Sequence, residues 1–139
     1  MGTADPDWKE STAPPPPALR TEQLVPLELP PPSTLRWGVD PASIQIDTDD
    51  VVRYVVVARS DTGAVNAFYE GIRCTAWQVK QYARSGGDKW VAAQDADWKP
   101  LDSSRARIHS LVIARSGACI GGGTRTPEQV ARNLRAQLR

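Results

Sequence analysis

The sequence predicts an α+β fold: an antiparallel meander sheet of four to five strands, packed by two helices and preceded by a proline-rich N-terminal arm. Three observations support this prediction. β-branched and aromatic residues alternate with turn residues between positions 51 and 92. Two segments near the C-terminus carry apolar residues at helical spacing. Ten of the twelve prolines lie at or before Pro41.

The N-terminal arm, residues 1 to 35, is predicted to be extended because proline lacks the backbone N–H and clashes with a preceding helical turn. Pro14 to Pro17 form an uninterrupted run, and further prolines flank the apolar residues 24 to 29. We expect residues 1 to 17 to be loose and residues 21 to 29 to be partly docked on a single domain that spans 36 to 139. The arm suits a tether or spacer, and a proline-rich recognition motif is the alternative.

Strand patterns follow in order after the arm. Asp40-Pro41 indicates a turn, and Ile44 and Ile46 alternate as a short edge strand. Residues 51 to 60 form the first long strand, and residues 65 to 74, 77 to 82 and 89 to 92 continue the meander. Residues 47 to 50 hold three carboxylates, but the glycine and terminal glutamate of an EF-hand are absent, so an acidic turn is predicted rather than a calcium site.

Two helices are predicted after the sheet. Residues 102 to 104 supply N-cap side chains for a helix over 104 to 115, which Gly117 would end. A strand over 108 to 113 is the alternative, since Val112 and Ile113 are β-branched. The second helix begins at Thr126 and Pro127, with Val130, Leu134 and Leu138 on one face. The glycines at 121 to 123 predict a hinge, because no GKS, GKT or GxGxxG pattern accompanies them.

The hexapeptide Tyr69-Glu70-Gly71-Ile72-Arg73-Cys74 resembles the signature of the cryptic neisserial protein-like family, exported proteins of proteobacteria with no established activity. The similarity extends over residues 39 to 119 and includes residues 53 to 57 and 63 to 66. It implies a small single domain in the cell envelope, periplasmic or outer-membrane-associated, and brings no catalytic residues. Residues 1 to 5 have neither a basic start nor an apolar segment, so we expect a mature or engineered start with the signal peptide removed.

Cys74 and Cys119 are the only cysteines, and neither a CxxC pattern nor a nearby histidine suggests a metal site. Given the family resemblance, we expect a disulfide between them; two free buried thiols are the alternative. No cofactor is predicted.

The charge is unevenly distributed. Residues 1 to 50 hold three basic and nine acidic residues, a net charge of −6, whereas residues 51 to 139 have a net charge of +7. From residue 103 onward, Glu128 is the only acidic residue. The basic residues either keep a solvated face or bind an anionic polymer. The candidate binding residues are Arg105, Arg107, Arg125, Arg132 and Arg135, together with Glu70 and Arg73 of the hexapeptide.

Three functional hypotheses follow. The leading one is a non-catalytic envelope protein that binds another envelope component or protein. The second is recognition of an anionic polymer, either nucleic acid or an envelope polyanion, through the arginine-rich C-terminal region. The third is a hydrolase centred on His109 with Asp102 and Ser110 nearby, and it is the weakest because no nucleophile motif such as GxSxG is present. No apolar run approaches the ~20 residues that a membrane-spanning helix needs.

Overall fold

The strands form one antiparallel sheet in the computed structural model, which describes residues 6–31, 34–121 and 125–137. Seven strands are present in these ranges, and their order in the sheet is β1-β2-β3-β4-β5-β6, with β7 also paired to β5. They are β1 (Val25–Leu27), β2 (Arg36–Ile46), β3 (Val52–Arg59), β4 (Val65–Arg73), β5 (Gln78–Ser85), β6 (Trp90–Ala92) and β7 (Lys99–Pro100). The α+β class is confirmed, but the predicted count of four to five strands was too low.

Prolines account for the two strands that the sequence pattern does not predict, β1 and β7. Pro26 lies in β1 and Pro100 in β7, and both are short strands. β1 is an edge strand that pairs only with β2 among the described strands, so the missing N–H of a proline can face away from the sheet without loss of an interstrand hydrogen bond. A proline there is therefore compatible with pairing, although the same residue weakens a strand prediction from sequence.

The second strand is also longer than predicted. β2 has eleven residues and lies between β1 and β3, whereas a short edge strand was expected at Ile44 and Ile46. Asp40-Pro41 falls at the start of an irregularity in the pairing with β3 rather than in a turn between elements. At this irregularity Ser43 Oγ donates to Asp40 O at 2.6 Å and accepts from Val55 N at 2.8 Å. The hydroxyl therefore supplies a hydrogen-bond partner where regular pairing is interrupted.

The central hairpin pairs as predicted. β3 and β4 keep one register from the Val52–Ile72 pair to the Arg59–Val65 pair. Tyr54 and Val56 belong to the core on one face, and Val55 and Val57 belong to a second cluster on the other face. Both faces of the sheet are therefore apolar and both need cover.

Helices cover the first face. They are α1 (Ile108–Ile113), a π-helical turn that follows it (Ala114–Ala118), and α2 (Pro127–Ala136). Helix is thus confirmed over strand for residues 108 to 113, but it continues past Gly117 as the π-helical turn, so Gly117 does not end it. A Cβ at Gly117 would lie 2.6 Å from Leu134 Cγ, so this glycine allows α2 to pack closely.

The second helix starts as predicted. Thr126 Oγ1 accepts a hydrogen bond from Gln129 N at 3.1 Å, and Pro127 occupies the first turn. Val130 and Leu134 are buried in the core. Leu138 and most of the predicted glycine hinge, residues 122 and 123, lie outside the described residues.

Residues 8 to 17 lie against the second face of the sheet, although the sequence analysis expected residues 1 to 17 to be loose. Trp8 Nε1 donates to Asp49 O at 2.8 Å, and Trp90 Nε1 donates to Pro17 O at 2.9 Å. Leu19 and Leu24 pack on the apolar cluster of this face. The apolar face of the sheet provides the physical reason, because the arm removes it from water.

Candidate functional site

A buried polar cluster joins the sheet to α1. We call it the Glu70 cluster; its members are Tyr54, Glu70, His109 and Ser110. Tyr54 Oη and Ser110 Oγ donate to Glu70 Oε1 at 2.7 and 3.0 Å. His109 Nε2 lies 2.8 Å from Glu70 Oε2. Glu70 is only 3% exposed, so its carboxylate, on the first face of the sheet, is buried and depends on these three partners for its hydrogen bonds.

The charge of Glu70 is stabilised by these partners. Burial alone would raise the pKa of the carboxyl, but the charge and hydrogen bond of His109 and the hydrogen bonds from Tyr54 and Ser110 hold the pKa of Glu70 below its ordinary value. Burial, with the neighbouring Glu70 charge, raises the pKa of Tyr54 well above its ordinary value. The tyrosine therefore remains a hydrogen-bond donor to an ionised carboxylate.

The Glu70 cluster does not have the geometry of a serine hydrolase. In such a site the base accepts the proton of the nucleophilic hydroxyl, but Ser110 Oγ donates to Glu70 rather than to His109. Asp102, the other sequence neighbour, accepts from Ser104 and Arg107. His109 is buried and stacks on Trp37, with ring centroids 4.2 Å apart and planes 9° apart. The arrangement anchors a helix to the sheet and presents no nucleophile to solvent.

Trp37 also borders an open cleft of about 560 Å³. We call it the Trp37 cleft; it is lined by Leu29, Pro30, Pro31, Thr34, Leu35, Trp37, Ser103, Arg105 and Ile108. Most of these side chains are apolar, and Arg105 contributes a cation. Such a lining suits an apolar group with a negative charge beside it.

The seven binding candidates from the sequence do not meet at one place. Arg105 is exposed beside the Trp37 cleft, whereas Arg107 donates to Asp102 Oδ2 at 2.9 Å. Arg132 and Arg135 are exposed on α2 and line a shallow groove with Pro41.

The remaining three candidates are buried or half-buried. Arg125 is half-buried, and its Nε has no hydrogen-bond partner among the described residues. Glu70 lies inside the Glu70 cluster, on the first face of the sheet. The Arg73 guanidinium lies 3.7 Å from the centre of the Trp8 ring. Glu70 and Arg73 are thus near neighbours in sequence with separate partners.

A second polar cluster on the arm face was not predicted. Arg53 is 1% exposed, and its Nη2 donates to Asp49 Oδ2 at 2.8 Å and to Glu10 Oε2 at 3.2 Å. Glu10 also accepts from Lys80 Nζ at 2.9 Å and from Tyr82 Oη at 2.6 Å. An arginine within a run of β-branched residues is the one sequence signal that could have indicated a buried ion pair here.

The electrostatics of this cluster favour its ionised form. Burial would raise the pKa values of Glu10 and Asp49. Hydrogen bonds from Lys80, Tyr82 and Arg53 nevertheless lower the pKa of Glu10. Hydrogen bonds from Arg53 and from backbone N–H groups lower the pKa of Asp49. Burial would lower the pKa of Arg53, but its hydrogen bond to Asp49 raises this pKa above the ordinary value. Glu10, Asp49 and Arg53 thus stay charged at neutral pH.

The predicted disulfide is confirmed. Cys74 and Cys119 are bonded, with Cα atoms 5.5 Å apart. The bridge connects the residue after β4 to the residue after the π-helical turn. No helix among the described residues has the length and apolar character to cross a membrane.

Comparison with known proteins places the chain in a family. It is 27% identical over 97 residues to cryptic neisserial protein 1 of Neisseria gonorrhoeae (strain ATCC 700825 / FA 1090), an alignment that covers 60% of this chain. The chain spans about half, 48%, of the length of that relative. No solved structure matches it. The model of the CNP1-like family matches residues 3–135. The chain therefore belongs to the CNP1-like family.

Proposed function

We propose that this chain is a non-catalytic protein of the cell envelope, periplasmic or surface-associated, that binds another envelope component. The Cys74–Cys119 disulfide carries the proposal. Disulfides persist in the periplasm and at cell surfaces and are rare in the cytosol, where thiols are kept reduced. The resemblance to an exported family implies the same location.

The Glu70 cluster supports a non-catalytic role. Ser110 and His109 both bond to Glu70, and all three side chains are buried. A buried cluster whose hydroxyl and imidazole share one carboxylate stabilises the fold and offers substrate no reactive atom. Test substrates such as nitrophenyl esters should therefore show no turnover that a Ser110→Ala substitution removes. Turnover that this substitution abolishes in a folded protein would contradict a non-catalytic role.

Location is tested through the disulfide. Cells that produce the protein from its natural gene are quenched in acid, and the denatured protein is alkylated with and without reduction before its intact mass is measured. We expect Cys74 and Cys119 to be labelled only after reduction. Labelling of both thiols without reduction would argue for a reducing compartment and against the envelope.

The Trp37 cleft is the proposed contact surface for a partner protein that presents an apolar side chain beside a carboxylate. Its apolar lining and the cation of Arg105 match this chemistry. A photo-crosslinking residue at the exposed Ser103 should label the partner in cells, and the same residue at exposed Thr62, in the turn between β3 and β4, serves as the control. Arg105→Glu should remove the labelling at Ser103. Labelling that survives this substitution would argue against the cleft.

The alternative function, binding of an anionic polymer, is favoured by one observation. Arg105, Arg115, Arg132 and Arg135 are exposed, and none of them forms an ion pair with a described residue. Binding of polyphosphate and of single-stranded DNA should then weaken steeply between 50 and 200 mM salt, on the order of a hundredfold for four phosphate contacts. Arg132→Gln with Arg135→Gln should reduce the salt dependence, whereas Arg59→Gln on β3 should not. Binding that is independent of salt would argue against this function.

A further inference from the structure

The arm is held on the sheet in the manner of a bound peptide. Residues 8 to 17 form no helix or strand, and no backbone-to-backbone hydrogen bond joins them to the sheet within the described ranges. Side chains of the sheet supply most of the hydrogen bonds instead. These donors come from β3, β4, β5 and β6, so the arm crosses the strands rather than extending the sheet at its edge.

The backbone carbonyls that accept these bonds are spaced by three residues. Ser11 O accepts from Arg53 Nη2 at 3.4 Å. Pro14 O accepts from Tyr69 Oη at 2.9 Å, and Pro17 O accepts from Trp90 Nε1 at 2.9 Å. A polyproline II helix has three residues per turn, so carbonyls at this spacing lie on one side of it. Proteins that recognise proline-rich peptides bind them in grooves lined by aromatic side chains.

A carboxylate-binding position precedes the carbonyl series. Glu10 accepts from Arg53, Lys80 and Tyr82, which belong to β3 and β5. Arg53 is held separately by Asp49 at 2.8 Å. The cation therefore keeps a partner when Glu10 is absent, so the site is preorganised for an incoming carboxylate.

An aromatic position lies before the carboxylate. The Trp8 ring meets Trp98 edge-on, with centroids 5.9 Å apart, and the Arg73 guanidinium covers the ring at 3.7 Å. The face therefore contacts an aromatic side chain at position 8 and a carboxylate at position 10. It also binds the backbone carbonyls of positions 11, 14 and 17.

We propose that this face of the sheet is a recognition surface for an extended, acidic, proline-containing segment of a partner protein, and that residues 8 to 17 are its intramolecular ligand. The inference goes beyond the proposed function, because it requires neither the envelope location nor the Trp37 cleft. The arm competes from within the same chain, at an effective concentration that reaches the millimolar range for a short linker. A partner segment therefore binds when it fits better than the arm or when the arm is displaced.

The test uses the 139-residue chain with Trp8→Ala and Glu10→Lys, which weaken the arm without altering the face. The probe is a fluorescent peptide with the sequence of residues 6 to 20, and binding is measured by anisotropy. We expect the double variant to bind it at least tenfold more tightly than the unsubstituted chain. The same peptide with Glu10→Lys should not bind, and adding Tyr69→Phe or Trp90→Phe to the protein should weaken binding several-fold.

Three results would overturn the proposal. A double variant that loses its circular dichroism signal would make the arm an integral part of the fold. A folded double variant that does not bind the peptide at millimolar concentration would show that the face recognises nothing in trans. Dimers of the unsubstituted chain that the double variant abolishes would make a second copy, rather than a different protein, the occupant.

Discussion

Glu70 is the residue on which the contact between sheet and α1 depends most directly. Glu70→Gln preserves the shape of the side chain but removes the charge that Tyr54, His109 and Ser110 surround. Hydrogen bonds to a charged group contribute about 1.5–3 kcal/mol each and neutral ones about 0.5–1.5 kcal/mol, so each of the three bonds is weakened by about 1 kcal/mol. We expect the free energy of unfolding at pH 7 to fall by about 3 kcal/mol, measured by urea denaturation.

Two further variants serve as controls for this prediction. Tyr54→Phe removes one donor only and should cost about 2 kcal/mol. Glu28→Gln changes an exposed glutamate and should leave stability within about 0.5 kcal/mol. If Glu70→Gln were as mild as Glu28→Gln, the cluster would contribute little to the fold.

The same carboxylate makes stability depend on pH. The pKa of Glu70 in the folded protein is lower than its ordinary value of 4.5, despite burial, because His109, Tyr54 and Ser110 stabilise the charge. The unfolded chain therefore binds the proton at higher pH than the folded chain does. The resulting stabilisation is complete above about pH 4.5 and is lost as the pH falls through the folded pKa.

Urea midpoints measured from pH 7 to pH 3 test this sign. Glu10 and Asp49, whose pKa values are also lowered, add to the loss in acid. We expect the chain to lose stability below about pH 4.5, and Glu70→Gln to lose less over the same interval. An equal loss in the two proteins would exclude Glu70 as a contributor.

At the residue scale the sequence indicated the types of group but not their partners. The pairing of Cys74 with Cys119 was expected from the family resemblance, and a hydrolase centred on His109 was the weakest of the three hypotheses. The bonds from Glu70 reach residues 16, 39 and 40 positions away. No local periodicity encodes such distances, since they depend on how the strands and α1 come together.

At the scale of elements, the π-helical turn and α2 meet through Gly117. A Cβ at this position would lie 2.6 Å from Leu134 Cγ and 3.1 Å from Val130 O. Gly117→Ala should therefore force α2 away from the π-helical turn and cost about 1–3 kcal/mol, as overpacking usually does. Urea denaturation measures the loss.

Gly86→Ala is the matched control, because nothing lies within 4 Å of a Cβ built there. Its effect should stay within about 0.5 kcal/mol. Combining Gly117→Ala with Leu134→Ala should cost less than the two single changes added together, since the smaller side chain accepts the new methyl group. If the two losses of stability were strictly additive, the methyl group at position 117 would not contact the Leu134 side chain.

Element prediction succeeded where local pattern and tertiary packing agree. β3 to β6 followed from β-branched residues and turn chemistry, and α2 followed from its cap. β2 was underestimated because Pro41 resembles a turn, while Ser43 repairs the pairing through its hydroxyl. The extent of α1 was wrong at both ends, because the helix begins at Ile108, four residues after the predicted start and without a side-chain cap, and continues as a π-helical turn that packs against α2.

At the scale of the whole molecule, a central sheet is covered on one face by helices and on the other by the arm. The prolines by themselves predict a spacer, because composition shows that a segment is extended but not what it contacts. The apolar residues on both faces of β3 were a sign that two covers were needed. Only the structure identifies the second cover as residues 8 to 17 and the leucines that follow.

The disulfide ties the sheet to its helical layer, so its removal should destabilise both. Cys74 and Cys119 are 45 positions apart, and a loop of that size gives about 4 kcal/mol in the loop-entropy account. Because the closed loop contains β5, β6, β7, α1 and the π-helical turn, reduction should lower the urea midpoint of the whole transition rather than release one element. Cys74→Ser with Cys119→Ser should match the reduced protein and should not respond to reductant. An unchanged midpoint on reduction would mean that packing between sheet and helices already restricts the chain as much as the bridge does.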